Sequence, residues 1–167
     1  KEKARQIFIM TPASLHSNYF EELQKCGDEL YKRKQHWEFV SIEGREDMVN
    51  RLAKALTLST RYIHQKKGAW MIDARKPSNY DNLSPESKVS LQDQLQQMIQ
   101  RKYKSIHYNA PNLKSIIQDL ETEGKSKNPF DHSVVIVDEA HNLVSRIVGK
   151  LRHKSLHTSI YYKLYDL

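Results

Sequence analysis

Two runs of four consecutive apolar residues, Ile7-Phe8-Ile9-Met10 and Val134-Val135-Ile136-Val137, set the tightest limit on how this chain can fold. A strand with one wet face alternates apolar and polar residues, whereas an unbroken apolar run fits a strand covered on both faces. The segments between them have a different period. Leu15, Tyr19, Leu23 and Leu30, with Phe20 and Cys26, recur at helical spacing, and Gly27 is a terminator near the middle. Met48, Val49, Leu52, Ala53 and Leu56 mark a second helix, closed by Lys66-Lys67-Gly68. Ser84-Pro85-Glu86 offers a capping hydroxyl, a proline at the first helical position and an early acid. Leu91, Leu95, Met98 and Ile99 then give that helix one narrow apolar face. Pro111 opens a further helix with Leu113, Ile116, Ile117 and Leu120 on one face. Leu143, Val144, Ile147, Val148 and Leu151 predict a helix after the second apolar run, and a Tyr-rich helix runs to the C-terminus. Segments 37–42, 69–73 and 103–108 read as additional strands, and 74–83 as a polar loop. Strands alternating with helices place the chain in the α/β class, with a mainly parallel sheet flanked by helices.

A chain of 167 residues supports one core of ordinary size, and no repeat or second domain is visible, so residues 1–167 are read as a single domain. The stretch from about 45 to 102 is mostly helical and is expected to be an insertion beside the sheet. With 5 Gly and 5 Pro the chain is not of low complexity. No apolar run approaches the roughly 20 residues that cross a bilayer, so no membrane partner is expected, and no secretory signal follows Lys1-Glu2-Lys3. The single cysteine, Cys26, excludes an intrachain disulfide and suits a reducing, intracellular compartment. A formal charge of +7 and a pI of about 9.4 favour a polyanionic partner such as nucleic acid.

The second apolar run ends in Asp138-Glu139-Ala140-His141. Two carboxylates then sit at the carboxyl end of a strand, the edge where open α/β sheets bind ligands. An Asp there can hold Mg²⁺ bridging nucleotide phosphates, and a neighbouring Glu can orient or deprotonate an attacking water. Asp-Glu after apolar residues is common by chance, but the full string Val-Val-Ile-Val-Asp-Glu-Ala-His is far more specific.

That string resembles motif II, the Asp-Glu-Ala-His box, of the superfamily two helicases. Ile7 to Leu15, Ile-Phe-Ile-Met-Thr-Pro-Ala-Ser-Leu, resembles motif Ia of the same group, in which a strand ends in Thr-Pro before a helix. The segments Leu15-His16-Ser17-Asn18, Tyr108-Asn109-Ala110-Pro111-Asn112-Leu113 and Asn142-Leu143-Val144-Ser145-Arg146-Ile147 look most like the helicase-type ATPases of nucleocytoplasmic large DNA viruses. The resemblance covers both ends of the chain and little of the middle. It implies a partial first RecA-like lobe of the P-loop NTPases, spanning motifs Ia to II, with ATP and Mg²⁺ as substrate and cofactor. Asp138 is then the Mg²⁺ residue, Glu139 serves the hydrolytic water, and His141 couples the nucleotide site to neighbouring elements. Thr11, Pro12 and Ser14 are implied to lie along the sugar-phosphate backbone of DNA or RNA, where a helix N-terminus presents free N–H groups.

The same resemblance implies a phosphate-binding loop before motif Ia and a second lobe, neither of which lies within these residues, so the fragment alone is expected to be inactive. Gly124-Lys125-Ser126 is not that loop, because the required first Gly falls at Asp119 and no strand precedes it. A viral source implies the host cytoplasm or the virion. Two alternatives stay open: a non-catalytic nucleic-acid-binding or assembly module, and an ATPase of viral transcription or remodelling that separates no strands. Among other features, Cys26 on its apolar stripe is expected in the core, and Trp37 and Trp70 are read as packing residues. His153 and His157 have metal-ligand spacing, but Arg152 and Lys154 beside them favour a solvated basic face. Arg101, Lys102 and Lys104, with Arg146, Lys150, Arg152 and Lys154, are basic clusters that suit phosphates and solvated helix faces equally.

Overall fold

The computed structural model describes residues 6–108, 115, 128 and 130–151. In chain order the elements are β1 (Ile7–Thr11), α1 (His16–Cys26), β2 (Trp37–Ser41), α2 (Asp47–Leu56), α3 (Thr60–Lys66), β3 (Gly68–Ile72), α4 (Pro85–Lys102), β4 (Tyr103–His107), β5 (Val134–Val137) and α5 (Ala140–Leu151). Short 3-10 turns lie at Ala13–Leu15, Glu29–Tyr31 and Tyr80–Asn82. The helix expected from Pro111, the Tyr-rich C-terminal helix, Gly124-Lys125-Ser126, Arg152, His153, Lys154 and His157 lie outside the described residues.

The chain divides into two compact units, Lys1–Ser17 with Tyr103–Leu167, and Asn18–Lys102. The first unit holds a parallel sheet of order β4-β1-β5. The protein is therefore α/β, as the apolar runs predict. β1 is the middle strand, and Phe8, Ile9, Met10 and Thr11 are all buried. Phe8 and Met10 face one side with Ile106, Tyr108, Phe130 and Leu143, and Val135 and Val137 pack against that cluster. The Phe8 and Phe130 rings meet edge to face at 5.0 Å, a favoured aromatic geometry. Each such buried side chain contributes roughly 1.5–3 kcal/mol of apolar transfer.

β5 departs from its expected burial. Its apolar run predicts a strand covered on both faces, yet Val134 is 43% exposed and Ile136 40%. Among the described residues β5 has one strand neighbour, β1, and only Val135 and Val137 point into the core cluster. Successive residues of a strand face opposite sides, so Val134 and Ile136 turn away from that core together.

The second unit begins earlier than the expected insertion at 45 and is not purely helical. β2 and β3, both predicted as strands, form a separate antiparallel pair with Trp37 opposite Ile72 and Phe39 opposite Trp70. Both tryptophans are buried, as expected of packing residues, and Phe39 meets the Trp70 ring edge to face. On the outer edge of β2, Asn79 accepts from Trp37 N–H at 2.8 Å and donates to Trp37 C=O at 3.0 Å. Unpaired strand edges invite aggregation, and here a side-chain amide closes one.

The single helix predicted from Met48 to Gly68 is two. Thr57 adopts a left-handed conformation with φ +54°, its N–H bonds Ala53 C=O, and Ser59 caps α3 by accepting from Tyr62 N–H at 3.1 Å. Lys67, not Gly68, is the left-handed residue that ends α3. Gly68 is required for another reason, since a Cβ there would lie 2.3 Å from Val40 O. α1 likewise ends at Cys26, leaving Leu30 exposed in the following turn. Cys26 is exposed as well, contrary to its expected place in the core. The helix stops there, and Gln24 is the residue of its last turn that is buried. α4 begins as predicted, with Ser87 N–H bonding Ser84 Oγ, and Leu91, Leu95, Met98 and Ile99 are all buried.

Candidate functional site

The acidic pair sits where a parallel ladder stops. Asp138 N–H still donates to Met10 C=O at 2.9 Å, continuing the β1–β5 pairing by one residue. The chain then turns sharply: Glu139 has φ +52° and α5 starts at Ala140. A left-handed conformation costs a non-glycine residue roughly 1–2 kcal/mol, so surrounding bonds must hold it. Three groups do so. Glu139 N–H bonds Asp138 Oδ1 at 2.9 Å, Asn142 N–H bonds Glu139 C=O at 2.9 Å, and Tyr108 Oη donates to Asp138 C=O at 3.2 Å and Glu139 C=O at 3.3 Å.

Asp138, Glu139 and His141 are all exposed. Glu139 Oε2 lies 3.2 Å from His141 Nδ1, an ion pair when the imidazole is protonated and a hydrogen bond otherwise. Both carboxylates precede the first turn of α5, where free N–H groups favour negative charge. The turn thus gathers two carboxylates and an imidazole at the carboxyl edge of the sheet.

Thr11 ends β1 on the same edge, in register with His107 of β4 and one residue beyond Met10, the partner of Val137. Its side chain is only 1% exposed, and Thr11 Oγ1 is buried with no hydrogen-bond partner among the described residues. Pro12 is half-buried and Ser14 exposed. The helix expected directly after Thr-Pro is preceded by the turn Ala13–Leu15, closed by Leu15 N–H to Pro12 C=O at 3.1 Å. The structure therefore sets Thr11 and Asp138 on adjacent strands, with Ser14 as the exposed hydroxyl of the turn beyond.

A triphosphate cannot approach Asp138 and Glu139 without a cation, because like charges a few ångströms apart repel strongly. Among the described residues no cluster of three or more His, Cys, Asp or Glu forms a metal cage. Mg²⁺ takes one or two carboxylates and completes its shell with phosphate oxygens and water, a demand that two adjacent carboxylates can meet. Asp138, with Oδ1 held by Glu139 N–H, is the residue placed to supply one ligand.

Tyr108 is the contributor that the sequence pattern missed. It is 1% exposed and reads in the sequence as the last residue of the strand expected over 103–108. Nothing in the sequence marks which carbonyls its hydroxyl meets, since its partners lie 30 and 31 residues away. Of the basic residues singled out, Arg101 is exposed at the end of α4 and Lys104 is half-buried on β4. No protein-family model, no curated protein and no solved structure matches the chain.

Proposed function

We propose that this chain is the motif Ia to motif II part of the first RecA-like lobe of an ATP-dependent nucleic-acid helicase or translocase, of the kind found in large DNA viruses. The observation that carries the reading is the hydrogen bond from Asp138 N–H to Met10 C=O. It puts the Thr11-Pro12 turn and the Asp138-Glu139 turn side by side at one carboxyl edge, where open α/β sheets take their ligands. The two stretches that resemble motifs Ia and II are far apart in sequence and adjacent on the sheet.

In this reading Asp138 holds Mg²⁺, which neutralises charge on the nucleotide phosphates. Glu139 orients the attacking water and accepts its proton, and His141 steadies the Glu139 carboxylate. Ser14 and the backbone N–H groups of the turn after Pro12 meet nucleic-acid phosphate. Thr11 has a narrower part than the motif resemblance implies: its backbone ends β1, and its hydroxyl stays inside. The reading also requires a Gly-Lys-Ser/Thr loop on the same polypeptide.

The test is ATP hydrolysis by the longest polypeptide encoded with residues 1–167, with and without single- and double-stranded DNA and RNA, beside Glu139→Gln. Nucleic-acid-stimulated hydrolysis that falls by about 100-fold or more in Glu139→Gln is expected for loss of a general base. A folded polypeptide that hydrolyses no ATP with any nucleic acid would refute the enzyme and leave a binding or assembly module.

A further inference from the structure

The Tyr108 hydroxyl ties the hydrophobic core to the acidic turn. Its ring belongs to the cluster of Phe8, Met10, Ile106, Phe130 and Leu143, where a phenol needs a polar partner to be tolerated. Its oxygen lies 3.2 Å from Asp138 O and 3.3 Å from Glu139 O, the two carbonyls that flank the strained residue. One hydroxyl proton serves both, so the bond follows the peptide between Asp138 and Glu139 and resists its rotation. That peptide also carries the N–H that holds Asp138 Oδ1. If that peptide flipped, its N–H would swing away from Asp138 Oδ1 and Glu139 would leave φ +52°, which changes how Asp138 sits against the Glu139–His141 pair.

Resting on the ATPase reading above, we infer that Tyr108 is a positioning residue for Asp138 and Glu139: its buried hydroxyl clamps the left-handed peptide that aims both carboxylates. Tyr108 touches neither nucleotide nor metal and acts through the two residues that do. Deleting the hydroxyl alone leaves the ring packed in the core and removes one of the three groups that hold the turn.

The decisive variant is Tyr108→Phe in the longest polypeptide encoded with residues 1–167. Loss of a group that orients a metal-binding residue typically costs 10–100-fold in metal affinity or activity. We expect kcat to fall about tenfold and the Mg²⁺ concentration for half-maximal hydrolysis to rise about tenfold. Nucleic-acid affinity should not change, whereas a general loosening of the fold would lower it too. Glu139→Gly supplies the control. Glycine adopts a positive φ freely, so in that background Tyr108→Phe should no longer weaken Mn²⁺·ATP binding. Wild-type kinetics and Mg²⁺ dependence in Tyr108→Phe would overturn the inference alone, as would an equal loss of metal and nucleic-acid binding. A wild type that neither hydrolyses ATP nor binds Mn²⁺·ATP would overturn the ATPase reading, and this inference with it. If Tyr108→Phe does not fold, amide exchange in the wild type decides. A clamped turn protects the Glu139 and Asn142 N–H groups, and exchange as fast as in an open loop would overturn it.

Discussion

The side-chain amide of Gln94 satisfies both backbone groups of Trp70, accepting from its N–H at 2.7 Å and donating to its C=O at 2.8 Å. Gln94 sits mid-helix in α4 and is buried, so it acts as a one-residue strand against the outer edge of β3. Gln94→Leu keeps the volume and leaves two buried backbone groups without partners. At roughly 1–3 kcal/mol for each unsatisfied group, the loss for the two should be about 2–6 kcal/mol. Urea unfolding measures it, and an unchanged midpoint would show that water replaces the amide at no cost.

Thr57 is a β-branched residue with φ +54° at the end of α2. Such residues rarely adopt that region, and helices commonly end there in glycine. Thr57→Gly should therefore stabilise the protein by about 1 kcal/mol. A raised thermal midpoint checks this, whereas a lowered one would mean that the threonine side chain makes contacts worth more than the strain.

Thr11 buries a hydroxyl with no partner among the described residues. Val has the same shape without the polar atom, so Thr11→Val should raise stability by about 1 kcal/mol. If nucleic acid or nucleotide instead draws that hydroxyl into a bond, the same variant loses ligand affinity while gaining stability. Unfolding and binding measured on one preparation separate the two effects.

Asp73 predicts part of the acid limb. Hydrogen bonds from the Arg75 side chain and from its backbone N–H lower its carboxyl from 3.8 to about 2. A folded-state value below the unfolded one stabilises the protein above 3.8, and that contribution is lost as pH falls toward 2. Asp73→Asn should remove that contribution at neutral pH and flatten the stability curve between 3.8 and about 2, with the two proteins converging at the acid end. An acid transition identical to wild type would assign the limb to other carboxylates.

Local chemistry makes several elements legible in the sequence itself. The run Ile7 to Met10 is a central strand buried on both faces, because only such a strand has no need of a polar side. Ser84-Pro85-Glu86 starts a helix, and the four-residue face from Leu91 to Ile99 is buried, because cap and stripe both arise within a few residues. Asp138, Glu139 and His141 stand out for the same reason: strand end, turn and helix start are contiguous in sequence.

What the sequence could not decide are the relationships that close over long separations. The same apolar pattern yields a buried β1 and a β5 with Val134 and Ile136 exposed, and among the described residues β1 has two strand neighbours and β5 one. β2 and β3 carry strand-like residues, yet pairing chose a separate antiparallel sheet over the parallel one. Cys26 has the spacing of a core residue, but the helix ends beneath it and leaves it in the open. Tyr108 resembles any other buried aromatic until folding brings its hydroxyl to Asp138 and Glu139. Periodicity determines which residues seek cover, since burial preference belongs to each side chain and its near neighbours. Which partner provides that cover, and where an isolated hydroxyl finds its acceptor, depends on strand order and register, which only the tertiary structure fixes.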